Sequence, residues 1–111
     1  MPEFHQLPEY QKELKRLSKK YPSVSNDIED IKQVLLASPT GIGKNFTIIS
    51  SEKDIKIVKV RIQCASLRSR TIRLIYAYHA NTIEFIYIEV YFKGDKENED
   101  RVRISEYLEN K

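Results

Sequence analysis

The chain has 111 residues, of which 41% are hydrophobic and 32% charged, and its formal net charge is +3. This length predicts one small soluble domain over residues 1–111 with a single core. No apolar run approaches the length of a membrane span, and the N-terminus lacks the layout of a secretory signal, so we expect a cytoplasmic protein without a membrane partner. The one cysteine, Cys64, excludes an internal disulfide, and no Cys/His cluster suggests zinc.

The N-terminal residues predict a short strand followed by a helix. The strand covers residues 4–7, and Pro8 suits the first helical position because its missing N–H would have no partner there. The apolar residues of the helix recur at intervals of four, three and four, and Pro22 ends it. This stripe consists of Tyr10, Leu14, Leu17 and Tyr21.

A second helix is predicted to start after Ser23 or Ser25, either of which can cap it, and to end at residues 38–41. Its apolar residues are Ile28, Ile31 and Leu35, with Val34 and Leu36 alongside. Because only a few residues separate the two helices, we expect an antiparallel hairpin whose apolar seam lies on a sheet.

Residues 41–44 form a glycine-rich turn that superficially suggests a phosphate-binding loop. That motif needs a glycine where Ser38 stands and a serine or threonine where Asn45 stands. We therefore interpret the segment as a turn into a short strand at residues 46–49.

Three runs that alternate apolar and polar residues follow, at residues 55–64, 71–79 and 83–93. This period is typical of strands, and the short connections predict an antiparallel β-meander. Apolar residues of one parity should share the face that packs on the helices. They are Val58, Val60, Ile62, Ile72, Leu74, Tyr76, Ile86, Ile88, Val90 and Phe92.

The opposite face of the meander is mainly cationic. It carries Lys59, Arg61, Gln63, Arg73, Glu89, Tyr91 and Lys93. Residues 55–93 hold seven lysines or arginines against two acids, whereas residues 94–111 hold four against six. A polyanion is the natural partner of such a surface, although ordinary solvated lysines and arginines explain the pattern equally well.

The remaining segments are a basic loop and an acidic tail. Residues 65–70 place Arg68 and Arg70 on a loop between two strands, where binding groups concentrate. Residues 95–100 are polar enough to form a loose, solvated connector. A short helix around residues 101–108 is expected to dock Val102, Ile104, Tyr107 and Leu108.

Several conspicuous residues have structural roles as their simplest explanation. Both histidines, His5 and His79, are expected to be exposed or satisfied, and Cys64 to fill the end of a strand. The tyrosines expected to pack rather than to bind are Tyr76, Tyr78 and Tyr87.

Three segments are notable beside this order of elements: Lys-Val-Arg at 59–61, Arg-Leu-Ile-Tyr at 73–76, and Glu-Val-Tyr-Phe-Lys-Gly-Asp-Lys-Glu-Asn at 89–98. Through these segments the chain resembles the RelE/ParE toxin superfamily over nearly its whole length. The resemblance implies a RelE-like α+β fold, in which an N-terminal strand and a two-helix hairpin pack on a small antiparallel meander with a short C-terminal helix.

The function implied by the resemblance is that of a type II toxin: a ribosome-dependent, metal-independent endoribonuclease that cleaves mRNA in the A site and inhibits translation without a cofactor. Its implied partners are the mRNA on the ribosome and a cognate antitoxin that covers the basic face. Operator DNA would be bound only through the antitoxin.

The resemblance also implies roles for individual residues. The candidate catalytic residues are Lys59, Arg61, Arg73 and Tyr91, and the candidate RNA-binding residues are Arg68, Arg70, Lys93 and Lys96. Arg73 matches the arginine that stabilises the phosphate, a task that suits its guanidinium fork. Tyr91 would stack on a base or transfer a proton. The general base remains open among Glu89, Lys59 and Tyr91.

Both the role of Arg73 and the function of the chain have alternatives. Arg73 can instead form a cross-strand ion pair with Glu89. Residues 70–72 read Arg-Thr-Ile, where many relatives carry a small-residue pair, and no histidine lies near Tyr91. The same fold would also suit a ParE-like DNA gyrase inhibitor or an inactive member that only binds an antitoxin.

Overall fold

The computed structural model describes residues 2–68 and 70–110, which form an α+β fold of three α-helices and a five-stranded mixed sheet. In chain order the elements are β1 (Glu3–Gln6), α1 (Pro8–Lys20), α2 (Val24–Ala37), β2 (Phe46–Glu52), β3 (Ile55–Gln63), a 3-10 turn (Ala65–Leu67), β4 (Thr71–His79), β5 (Glu84–Phe92) and α3 (Arg101–Glu109). The three predicted helices and the predicted strands are confirmed. None of these helices combines the length and apolarity needed to cross a membrane.

The sheet has the strand order β1-β5-β4-β3-β2. Strands β3, β4 and β5 are antiparallel neighbours, which confirms the meander, and β2 extends it along β3 over seven residues rather than the four predicted. Strand β1 pairs with β5 in parallel, and the chain that connects them contains both helices of the hairpin and strands β2, β3 and β4.

Helices α1 and α2 cover one face of the sheet, as their apolar stripes predicted. Tyr10, Leu17, Ile28 and Leu35 are buried there against strand residues such as Leu74. Val34 and Leu36, which flank the stripe of α2, remain 43% and 44% exposed. The seam between hairpin and sheet is therefore the main core.

A β-bulge in β5 changes which residues reach that core. Tyr76 of β4 pairs with Tyr87 and the preceding Ile75 with Glu89, so Ile88 is an extra residue in the ladder. Side chains of a strand alternate between the two faces of the sheet, and an inserted residue reverses this alternation on one side of the insertion. Tyr87 consequently packs under the helices, while Ile86 and Ile88 lie on the opposite face. The prediction that Ile86 and Ile88 share a face with Val90 was wrong.

Helix α3 covers half of the second face, which the sequence predicted to be mainly cationic. Ile104 and Tyr107 pack on strand residues that include Ile57 and Ile75. Val102, expected to dock, is 68% exposed because it lies on the outer side of the helix. The second face is thus divided into an apolar half beneath α3 and a polar half beyond it.

A bidentate ion pair joins the layers at the edge of β5. Glu13 of α1 accepts hydrogen bonds of 2.9 Å from both terminal nitrogens of Arg103 in α3. Beyond the end of β1, the Val90 N–H donates to Glu13 and the Ile88 carbonyl accepts from Arg103. Glu13 and Arg103 therefore satisfy backbone groups of β5 that lie beyond the end of β1 and cannot pair with it.

Candidate functional site

The polar half of the second face contains an open cleft of about 400 Å³. It contains all four candidate catalytic residues. The lining consists of Lys44, Asn45, Thr47, Lys59, Arg61, Arg73, Tyr91, Lys93, Glu97 and Asn98. Five of these side chains are cationic and one is a carboxylate, so the cleft is suited to an anionic ligand.

The strands bring the candidates together through their register. Arg61 lies directly opposite Arg73, and Arg73 lies directly opposite Tyr91, so these three residues form one row across β3, β4 and β5. Lys59 lies two residues before Arg61, on the same face. The predicted sharing of one face by Lys59, Arg61, Arg73 and Tyr91 is confirmed.

The two arginines of the row are held by neutral oxygen atoms. Arg61 donates to the Lys44 carbonyl at 3.2 Å, and Nη1 of Arg73 donates to the Thr71 hydroxyl at 2.7 Å and the Thr71 carbonyl at 3.2 Å. Within residues 2–68 and 70–110, neither guanidinium forms an ion pair with an acid. Like charges in directly opposed positions are unfavourable, so the folded chain retains a repulsion that a bound anion would relieve.

Glu89 does not pair with Arg73, so the alternative of a cross-strand ion pair between them was wrong. Glu89 lies opposite Ile75 and is fully buried. Its carboxylate accepts hydrogen bonds from the Lys96 ammonium and, at 2.8 Å, from the Asp100 N–H. Because it is buried and doubly occupied, Glu89 is also excluded as a base that contacts substrate.

Lys59 is oriented by a buried carboxylate. Its ammonium donates to Glu99 at 3.0 Å, and Arg101 contacts the second oxygen of Glu99 at 2.6 Å. Burial opposes ionisation of Glu99, but the hydrogen bond from Lys59, a backbone hydrogen bond and both cations outweigh it and lower its pKa. A base role for Lys59 would require this ion pair to break.

Tyr91 forms the floor of the cleft and is 5% exposed. Burial, reinforced by the carboxylates of Glu99 and Glu89, raises its pKa to about 12 against the opposing effect of Arg73 and Arg101. The phenol therefore stays protonated near neutral pH and is a hydrogen-bond donor. Its ring lies 5.4 Å from the Lys96 ammonium and is too buried to stack on a base, which favours proton transfer over stacking.

The four candidate RNA-binding residues have different positions. Lys93 lines the cleft, and Arg70 lines an adjoining shallow pocket that also includes Arg73 and Lys93. Lys96 is ion-paired with buried Glu89, so its role is at least partly structural. Arg68 is exposed, has a left-handed φ of 51° after the 3-10 turn, and lines neither pocket.

The connector over residues 95–100 is more ordered than its composition suggested. The side chain of Glu99 is only 2% exposed. Asp100 caps α3 by accepting a hydrogen bond from the Arg103 N–H at 3.0 Å. Glu97 and Asn98, between these anchors and the strand, reach the cleft. A solvated connector was therefore the wrong expectation for its second half.

Sequence reasoning also missed the side of the cleft formed before and within β2. Thr47 pairs with Lys59 and therefore shares its face, while the Asn45 carbonyl accepts from the Arg61 N–H at 2.9 Å. The alternation that identified the meander extends into β2. This signal would have located Thr47 had the register with β3 been known.

The remaining singled-out residues lie outside the cleft, as expected. Cys64 is buried and 3.4 Å from the Ser23 hydroxyl, and His79 contacts the Tyr107 hydroxyl. His5 lies 3.1 Å from both Glu3 and Glu84, and these three are the one group in the described ranges with metal-ligand types in suitable proximity. They lie at the opposite end of β5 from Tyr91, so the cleft gains no metal ligand from them.

No family model, no curated protein and no solved structure matches the chain.

Proposed function

We propose that the chain is a ribosome-dependent endoribonuclease that cleaves mRNA in the A site and inhibits translation in the cytoplasm, as the toxin of a type II toxin-antitoxin pair. The observation that carries the proposal is the row of Arg61, Arg73 and Tyr91. It combines two guanidinium groups without acidic partners among the described residues and a protonated phenol in one cleft. These are the groups needed to bind a phosphodiester and to protonate its leaving oxygen.

The arginines suit the phosphate. Cleavage through the 2′-hydroxyl adds negative charge to the non-bridging oxygens, and a guanidinium fork can donate to two of them. Arg61 and Arg73 lie on neighbouring strands, where one phosphate can bridge them. Binding there would also remove the repulsion between the two cations. Lys44 and Lys93 at the rim add positive charge for the flanking phosphates.

Tyr91 and Lys59 suit the leaving group. In our proposal the Tyr91 hydroxyl, which is protonated at neutral pH, donates its proton to the departing 5′-oxygen. Lys59, held by Glu99, contributes a fixed positive charge beside the reacting phosphate. Preorganised charges of this kind need no rearrangement during the reaction.

The finer fold assignment and the partners belong to the same proposal. The order of strand, helix pair, meander and C-terminal helix supports a RelE-like fold, and the basic cleft supports inhibition by an antitoxin with an acidic segment. In this scheme the toxin reaches operator DNA only through that antitoxin.

Primer extension on a defined mRNA tests the proposal. The purified protein is added to a reconstituted translation reaction, and to the same mRNA without ribosomes. We expect cuts only with ribosomes, in register with A-site codons, and none with Arg73→Ala. An intact message in both reactions would refute the nuclease function, and gyrase supercoiling and antitoxin binding would then be measured.

A further inference from the structure

The proposed cleavage needs a group that removes the proton from the attacking 2′-hydroxyl. The carboxylates near the cleft differ sharply in their availability. Glu89 is fully buried beneath Lys96, and both oxygens of Glu99 are bound by cations. Lys59 is engaged by Glu99, and the arginines cannot act as bases at physiological pH.

Glu97 is different from these groups. It is exposed and lines the cleft, and it is the one carboxylate that does so among the described residues. No ion pair to Glu97 is formed by any lysine, arginine or histidine in the described part of the chain. Its oxygens therefore remain available to a substrate.

The connector holds Glu97 in place although the side chain itself is exposed. On one side, the Lys96 N–H donates to the Phe92 carbonyl at 3.1 Å, and the Lys96 ammonium binds buried Glu89. On the other side, Glu99 is fixed by Lys59 at 3.0 Å. Glu97 and Asn98 thus span a gap of two residues between anchored neighbours. This short span limits how far Glu97 can move from the rim of the cleft.

We propose, on the basis of the nuclease function above, that Glu97 is the general base of the reaction. Its carboxylate takes the 2′-hydroxyl proton as the 2′-oxygen forms its bond to phosphorus. The bond from phosphorus to the 5′-oxygen breaks, and the Tyr91 hydroxyl protonates that oxygen. The products are a 2′,3′-cyclic phosphate and a 5′-hydroxyl. Proton transfer from Glu97 to Tyr91 through solvent restores both groups.

Single-turnover cleavage on mRNA-programmed ribosomes tests this assignment. Glu97→Gln keeps the shape of the side chain and removes the base, whereas Asp95→Asn removes the same charge from the same connector outside the cleft lining. We expect Glu97→Gln to reduce the rate by about 100-fold to 10,000-fold, the usual contribution of a general base. Glu97→Asp should retain part of the activity, and Asp95→Asn should cleave like the wild type.

A measurement of affinity separates catalysis from binding. Affinity for ribosomes carrying a message with a 2′-deoxynucleotide at the cleavage site should be similar for Glu97→Gln and Asp95→Asn.

The outcomes distinguish the two proposals. If Glu97→Gln cleaves as fast as Asp95→Asn, the base assignment is overturned and the nuclease function stands. If Glu97→Gln loses cleavage only in proportion to a loss of affinity, Glu97 is a binding residue and the assignment is again overturned. A wild-type protein that leaves the message intact overturns both.

Discussion

Arg61 and Arg73 lie directly opposite each other on β3 and β4, and no acid in the described ranges forms an ion pair with either. Opposed like charges in a sheet destabilise the folded chain. Natural sequences tolerate such local conflicts mainly at functional sites. The two opposed arginines therefore lower the stability of the folded chain, and we attribute their presence to a role in anion binding.

Replacing one of the two arginines should stabilise the protein while weakening its function. We expect Arg61→Gln to raise the free energy of unfolding by about 0.2–1 kcal/mol, because it removes the repulsion from Arg73. Urea denaturation at low salt measures the change, and added salt should shrink it. Arg68→Gln, on the exposed loop, is the matched control and should leave stability unchanged. A less stable Arg61→Gln protein would contradict the assigned repulsion.

The phenol of Tyr91 should matter for cleavage rather than for binding. Tyr91→Phe removes the proposed proton donor and keeps the buried ring, so we expect a rate loss of about 100-fold to 10,000-fold with unchanged affinity for programmed ribosomes. Single-turnover cleavage and ribosome binding are the two measurements. Tyr78→Phe, on the helix side of the sheet, should cleave normally. Equal rates for both variants would exclude Tyr91 as the acid.

The sequence was sufficient to predict elements whose pattern is local. The period-two runs of β3, β4 and β5 and the stripes of α1 and α2 each lie within one segment, and all five elements are confirmed. The common face of Lys59, Arg61, Arg73 and Tyr91 follows from the same alternation.

The features that the sequence did not reveal depend on distant residues. The bulge at Ile88 leaves no local signal, and it reversed the faces assigned to Ile86 and Ile88. Glu99 belongs to a polar, acidic segment that predicts solvation, yet it is buried because Lys59, forty positions earlier, offers an ion pair. Lys59 and Glu99 meet only in the folded chain. The sequence therefore predicted the strand residues of the cleft but not the buried carboxylate that orients Lys59.

The free energy of unfolding should depend on pH through Glu99. Its pKa is lowered below the ordinary value of 4.5, so its contribution is present above that value and is lost as the pH falls through the folded-state pKa. We expect the wild type to lose more stability than Glu99→Gln between neutral pH and pH values below 4.5. Urea unfolding midpoints at neutral pH and at the acidic pH measure this difference, and the variant Glu109→Gln at an exposed position is the control. Parallel losses in the wild type and Glu99→Gln would show that the ion pair with Lys59 contributes nothing.

The hydroxyl groups of two tyrosines buried in the core should be dispensable for stability, whereas the hydroxyl group of a third should not. The hydroxyls of Tyr10 and Tyr87 have no hydrogen-bond partner among the described residues, and burial raises the pKa of both. The equally buried Tyr76 hydroxyl instead donates to the Pro39 carbonyl at 2.8 Å. Burying an unpaired hydroxyl is costly, and losing a paired one costs about 1 kcal/mol. Tyr87→Phe should therefore be neutral or stabilising and Tyr76→Phe destabilising. Urea unfolding of both variants tests the contrast, and a larger loss for Tyr87→Phe would reveal a partner for its hydroxyl.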